Sequence, residues 1–153
     1  MIFKEIRLRA LQDAPSAFSA TYAKESQFSD ADWIARAAQW SGARSVAYLA
    51  LDKTNPCGIA GAFLEPDDLT CAHLISMWVD PAQRRLGIGA MLVSEVVEWA
   101  RTRRVKTLQL LVTSNNDGAI KFYQRLGFAS TGITKPHVND STLDDCEMCR
   151  PIQ

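Results

Sequence analysis

The stretch Gln83-Arg-Arg-Leu-Gly-Ile-Gly-Ala90 sets two arginines and a Gly-x-Gly pair between an apolar run and a helix-like one. Glycine removes the side chain that would keep a visitor off the backbone, and the planar fork of arginine suits an oxyanion. The first N–H groups of a helix have no partner within it, and the helix dipole adds about half a positive charge there. Gly87 and Gly89 would let phosphate oxygens reach those donors, with Arg84 or Arg85 adding bidentate contacts. A diphosphate fits best, although the same glycines also suit a plain tight turn into a helix. Further on, Asn116, Ala119 and Tyr123 share one helix face by i, i+3 and i+4 spacing. A phenol with a pKa of about 10 can protonate a departing anion. Tyr123 also reads as an aromatic buried beside Phe122, and Asn116 as a plain N-cap.

Two phosphate-binding motifs are excluded. No Gly-x-x-x-x-Gly-Lys-Ser/Thr run occurs, and Leu92 stands where a dinucleotide fingerprint needs its third glycine. Cys146-Glu-Met-Cys149 is a CxxC, but Cys57 and Cys71 are not spaced as a second zinc pair. The CxxC ends the chain instead of opening a helix, so it reads as two cysteines on a terminal strand in a reducing compartment.

These residues need elements to hold them. Phe3 to Ala14 has helical apolar spacing ended near Pro15, and Ser29-Asp-Ala-Asp32 caps a second helix to about Trp40, closed by Ser41-Gly42. Ser45–Leu51 and Gly58–Leu64 read as strands joined through Lys53-Thr-Asn-Pro-Cys57, and Thr70–Val79 as a third closed by Asp80-Pro81. Gly87–Arg103 is the clearest helix, with Leu92, Val93, Val96, Val97, Trp99 and Ala100 on one face. Lys106–Thr113 is a strand. Asn116–Leu126 is a helix ended by Gly127, with Phe128 placed to pack back. Two strands are expected in the tail, around a loop from Thr131 to Asp144. The order gives a mixed α/β fold.

The chain of 153 residues suits one domain, with 47% apolar and 22% charged residues. Seventeen basic residues balance seventeen acidic ones, which argues against a nucleic-acid partner. No apolar run approaches the ~18 residues of a membrane span, and the N-terminus lacks a signal peptide's unbroken core. A cytoplasmic protein is expected.

Arg84-x-x-Gly87-x-Gly89, followed by Asn116-x-x-Ala119-x-x-Phe122-Tyr123-x-x-x-Gly127-Phe128, resembles the GCN5-related N-acetyltransferase (GNAT) superfamily. The resemblance is close from Thr70 to Phe128 and looser elsewhere, including Glu147-Met148 to Pro151. It implies a single domain over 1–153, built on a mixed, mostly antiparallel central sheet flanked by helices, with a splayed V between the two central strands. It implies acetyl-CoA as the diphosphate carrier and co-substrate, and no metal. The strand ending Met77-Trp78-Val79 would splay from Lys106–Thr113 and offer backbone groups to the pantetheine amides, as an added strand would. The N–H of Met77 matches the donor that holds the thioester carbonyl. Arg84, Arg85, Leu86, Gly87, Ile88, Gly89 and Ala90 match the pyrophosphate cradle. Asn116 matches the amide on the coenzyme arm, and Tyr123 the general acid.

The activity so implied is acetyl transfer to a primary amine of a small molecule or protein, directly within a ternary complex. A non-catalytic acyl-CoA-binding or regulatory module is the alternative, and a nucleotide-binding redox domain is opposed by Leu92. An alkylamine is protonated at neutral pH, so a base is expected, for which the family has no fixed position. His73 on the central strand and Glu65 are candidates, and His137 could line the acceptor cleft. The stretches Ala14–Gln27 and Ile133–Asp144 would set the acceptor. The run Arg7 to Phe18 resembles one bacterial GNAT subgroup, with no acceptor attached to it. Most members open with a strand before the first helix, whereas Met1 falls almost at that helix here. A sheet edge left open there invites a second copy, as a homodimer.

Overall fold

Helix ends carry the most explicit local instructions in this chain. In the computed structural model, which describes residues 1–40 and 43–153, α1 (Ile2–Asp13) stops just before Pro15, whose ring cannot continue it. A single turn, α2 (Tyr22–Glu25), follows; it is too short for apolar spacing to announce. α3 (Asp30–Gln39) opens on a capping box. The Asp32 N–H donates to the Ser29 hydroxyl at 3.1 Å, and the Ser29 N–H donates to the Asp32 carboxylate at 2.9 Å. The expected closure at Ser41-Gly42 lies outside the described residues. α4 (Ile88–Thr102) buries the six apolar residues of its expected face, at roughly 1.5–3 kcal/mol for each large aliphatic side chain. α5 (Asp117–Arg125) starts where the Asn116 side chain accepts from the Ala119 N–H. It ends in a Schellman turn: the Phe128 N–H reaches the Tyr123 carbonyl at 3.0 Å, and the Gly127 N–H reaches that of Gln124. The Phe128 ring then closes onto Tyr123, 5.7 Å between centroids.

Six strands form one sheet: β1 (Ser45–Asp52), β2 (Asn55–Glu65), β3 (Asp68–Val79), β4 (Thr107–Thr113), β5 (Ala129–His137) and β6 (Asp140–Pro151). Their order is β1-β2-β3-β4-β6-β5, antiparallel everywhere except between β3 and β4. Two expected connections prove shorter. β2 already starts at Asn55, so only Lys53 and Thr54 turn the first hairpin, with Lys53 at φ 57°. The stretch from Thr131 to Asp144 is not a loop. β5 and β6 run through it, joined by Val138-Asn139, with Thr134 opposite Cys146 and Lys135 opposite Asp145. β5 is exposed from Ala129 to Pro136, so its backbone ladder holds it and no apolar alternation marks it.

The sheet has two covered faces. α4 and α5 pack on one through Ala60, Ala62, Leu74, Leu108 and Leu110. α1 covers the other, where Ile6, Ala10 and Leu11 meet Ile59 and Trp78. Trp78 reaches that face because of a bulge. Ile59 pairs with Trp78 but Gly61 pairs with Ile75, so Ser76 and Met77 together oppose Ala60. The extra residue reverses the alternation, and Trp78 turns toward α1 while Met77 turns toward α4.

Candidate active site

The V expected between the central strands is present. β3 and β4 are joined only by the pairs Cys71–Thr107, Ala72–Leu108 and His73–Gln109. Beyond them Leu74–Val79 and Leu110–Thr113 separate, and a cleft of about 530 Å³ opens between them. A continuous apolar run cannot reveal the bulge that shapes one wall of this cleft. Ser76 sits there at φ 56°, a left-handed conformation that costs a non-glycine residue on the order of 1–3 kcal/mol. The Arg7 guanidinium holds it, donating to the Ser76 hydroxyl at 2.5 Å. Arg7 in turn grips both carboxylate oxygens of Glu25 at 3.1 Å, and Arg36 donates to the same carboxylate at 2.6 Å. Glu25 is 2% exposed. Burial alone would raise its carboxyl, but the two guanidiniums outweigh that and keep it below the usual carboxylate range. Arg7 and Ser76, distant in the chain, were not singled out by the sequence.

Past Met77 and Val79 the chain turns into α4. Gly87 caps that helix at φ 83° and a Cβ there would meet nothing within 4 Å, so the space above it is open. Gly89 sits in a close-packed spot instead: a Cβ would lie 3.0 Å from the Phe122 ring and 3.1 Å from the Met77 methyl. The first N–H to find a helical acceptor is that of Met91, on the Gly87 carbonyl. Among the described residues no acceptor meets the backbone N–H groups of Arg85, Leu86, Gly87, Ile88, Gly89 or Ala90. Six consecutive free donors at a helix start form a cradle for an anion.

The two arginines divide their work. Arg84 donates through Nη2 to Asp13 and through Nε to the Val79 carbonyl, both at 2.9 Å, and Asp13 also accepts from the Trp78 indole. Arg84 therefore ties the cradle to the end of α1, a role its neighbours in sequence do not disclose. Arg85, at φ 66° and exposed, has no side-chain partner among the described residues and is the one left for a ligand. Trp78 offers the cleft its backbone only, since its ring lies under α1.

Tyr123, Asn116, Ala119 and Met77 line the cleft together. Tyr123 is 8% exposed, and burial pushes its phenol far above the ordinary value, so it stays protonated. The Asn116 oxygen is used in the cap, which leaves its NH₂ free to donate. Of the candidate bases, His73 lines the cleft where the V is pinned, with Nε2 2.7 Å from Glu65 and its ring stacked on Phe63. His137 also lines the cleft and pairs with Asp145, a pairing missed because the stretch that carries His137 read as loop. Cys146 and Cys149 lie on β6, at the ladder with β4. Among the described residues no helix is long and apolar enough to cross a membrane.

This arrangement has counterparts. An uncharacterized N-acetyltransferase of Methanocaldococcus jannaschii is 39% identical over 64 residues, 42% of this chain and 28% of that protein. The [ribosomal protein bS18]-alanine N-acetyltransferase of Salmonella typhimurium is 34% identical over 106 residues, 66% of this chain and 72% of that protein. The chain thus spans about a quarter of the first relative and about three quarters of the second. The crystal structure of a GCN5-related N-acetyltransferase from Kribbella flavida superimposes with a TM-score of 0.72 at 25% identity, covering 94% of this chain and 89% of that one. With residues 8–128 matching the family's sequence profile, the chain belongs to the acetyltransferase (GNAT) family.

Proposed function

We propose that this chain transfers the acetyl group of acetyl-CoA to a primary amine of a small molecule or protein, with both substrates held at once. The carrying observation is the run of six N–H groups from Arg85 to Ala90 without an acceptor among the described residues, on the turn that follows β3, beside a cleft where the facing edges of β3 and β4 do not pair with each other. The donor set fits a diphosphate, and Arg85 supplies a free cation. The edges of β3 and β4 suit the pantetheine amides. The bulge leaves Met77 outside the β2–β3 register, and its N–H is the donor for the thioester oxygen. Asn116 holds the coenzyme arm. Tyr123 protonates the departing sulfur, which favours an enzyme over a binding module.

The Salmonella relative's name gives an alanine of ribosomal protein bS18 as its acceptor, so alanine-initiated peptides belong in the first panel of amines, beside small polyamines and lysine peptides. Calorimetry with coenzyme A and release of free thiol from acetyl-CoA test the reading. Uptake of the coenzyme with amine-dependent thiol release is the expected result. No uptake by folded protein at millimolar ligand would overturn it, and uptake without turnover on any amine would return the chain to a binding module.

A further inference from the structure

His137 is buried, lines the cleft and ends β5 beside the turn to β6. Its Nδ1 lies 3.0 and 3.1 Å from the two carboxylate oxygens of Asp145. An ionised carboxylate only accepts, so Nδ1 donates, and in the neutral ring Nε2 then holds the lone pair. That Nε2 is buried and, among the described residues, nothing donates to it. A buried acceptor without a donor is a rare arrangement in a folded protein. The turn that carries the ring is itself fixed: the Asn139 side-chain amide donates to the carbonyls of Phe18 and Ser19 at 3.2 and 3.0 Å. The other imidazole of the cleft differs, because the Nε2 of His73 is taken by Glu65.

We propose that His137, held by Asp145, is the general base that takes the proton of the acceptor amine. The proposal rests on the acetyl-transfer reading and names the group that reading lacks. Nε2 removes one proton from the ammonium, and Asp145 steadies the imidazolium. The freed nitrogen pair forms the C–N bond to the acetyl carbon as the C–S bond breaks, and the thiolate takes the Tyr123 proton. The second nitrogen proton, shed as the amide forms, restores the phenol, and the imidazolium returns its proton to water. Asp145 is a positioning residue in this scheme.

The chain has two histidines, so imidazole ¹⁵N spectra of labelled protein, with His73→Gln for assignment, read His137 without any acceptor. The Nδ1–H tautomer is expected at neutral pH and should lose its dominance in Asp145→Asn. An Nε2–H tautomer in the wild type overturns the proposal. With the fastest amine of the panel, His137→Gln should lower kcat by about 100-fold or more while coenzyme A affinity, by calorimetry, stays within about two-fold. Full turnover by His137→Gln overturns the base and leaves acetyl transfer standing. Absent coenzyme uptake by the wild type is instead a failure of acetyl transfer. Should His137→Gln not fold, Asp145→Asn carries the kinetic arm.

Discussion

Tyr123 keeps its proton because of its surroundings. Desolvation disfavours the phenolate, so the hydroxyl is protonated throughout the pH range of an assay. Tyr123→Phe should lower kcat by about ten-fold or more with coenzyme A affinity unchanged; equal turnover would make the ring a core residue only. The same burial has a stability consequence. The unfolded phenol ionises near pH 10, whereas the folded one holds its proton to higher pH. Its contribution is complete below about pH 10 and declines above it, because the unfolded chain then sheds a proton that the fold retains. Urea midpoints at about pH 9 and 11 should therefore fall less in Tyr123→Phe than in the wild type. At the cradle, Arg85→Ala should weaken coenzyme A binding about ten-fold, the value of one charge-assisted hydrogen bond, without moving Tm. Arg84→Ala should act more on stability, since Arg84 is already bonded to Asp13 and Val79.

Elements differ in how plainly they were written. α5 was legible from end to end, because its Asn116 cap and its Gly127-Phe128 stop are local chemistry. α4 was legible because its buried face is wide and unbroken. β5 was not, since a strand with eight solvent-facing residues carries no period-two signal. The bulge at Ser76 escaped for the opposite reason: with both faces of β3 covered, either register of the run reads as apolar. The site inherits these limits. The proposed cradle and acid lie on legible elements, while His137, which pairs with Asp145, lies on a strand that had to be seen.

Across the whole molecule the N-terminal helices do more than cover a face of the sheet. Glu25 on α2 binds Arg7 of α1 and Arg36 of α3, and Arg7 reaches on to the bulge. Removing one member of such a buried cluster leaves uncompensated charge, which costs about 3–5 kcal/mol. Glu25→Gln should lower Tm by roughly ten degrees, read by differential scanning calorimetry, and should lower kcat as well, because Ser76 loses its fixed donor. A fall in Tm with kcat intact would mean that the bulge holds its shape unaided.

Beyond His73 and Gln109 the sheet consists of two leaves on a short spine, β1–β3 on one side and β4–β6 on the other. Each leaf presents an inner margin of main-chain groups that the opposite leaf does not meet. A molecule lying along the gutter and bonded to both margins would stitch the leaves together. The amides of residues 74–79 and 110–113 would then exchange with solvent as one block when it is bound, and as two separate margins when it has left.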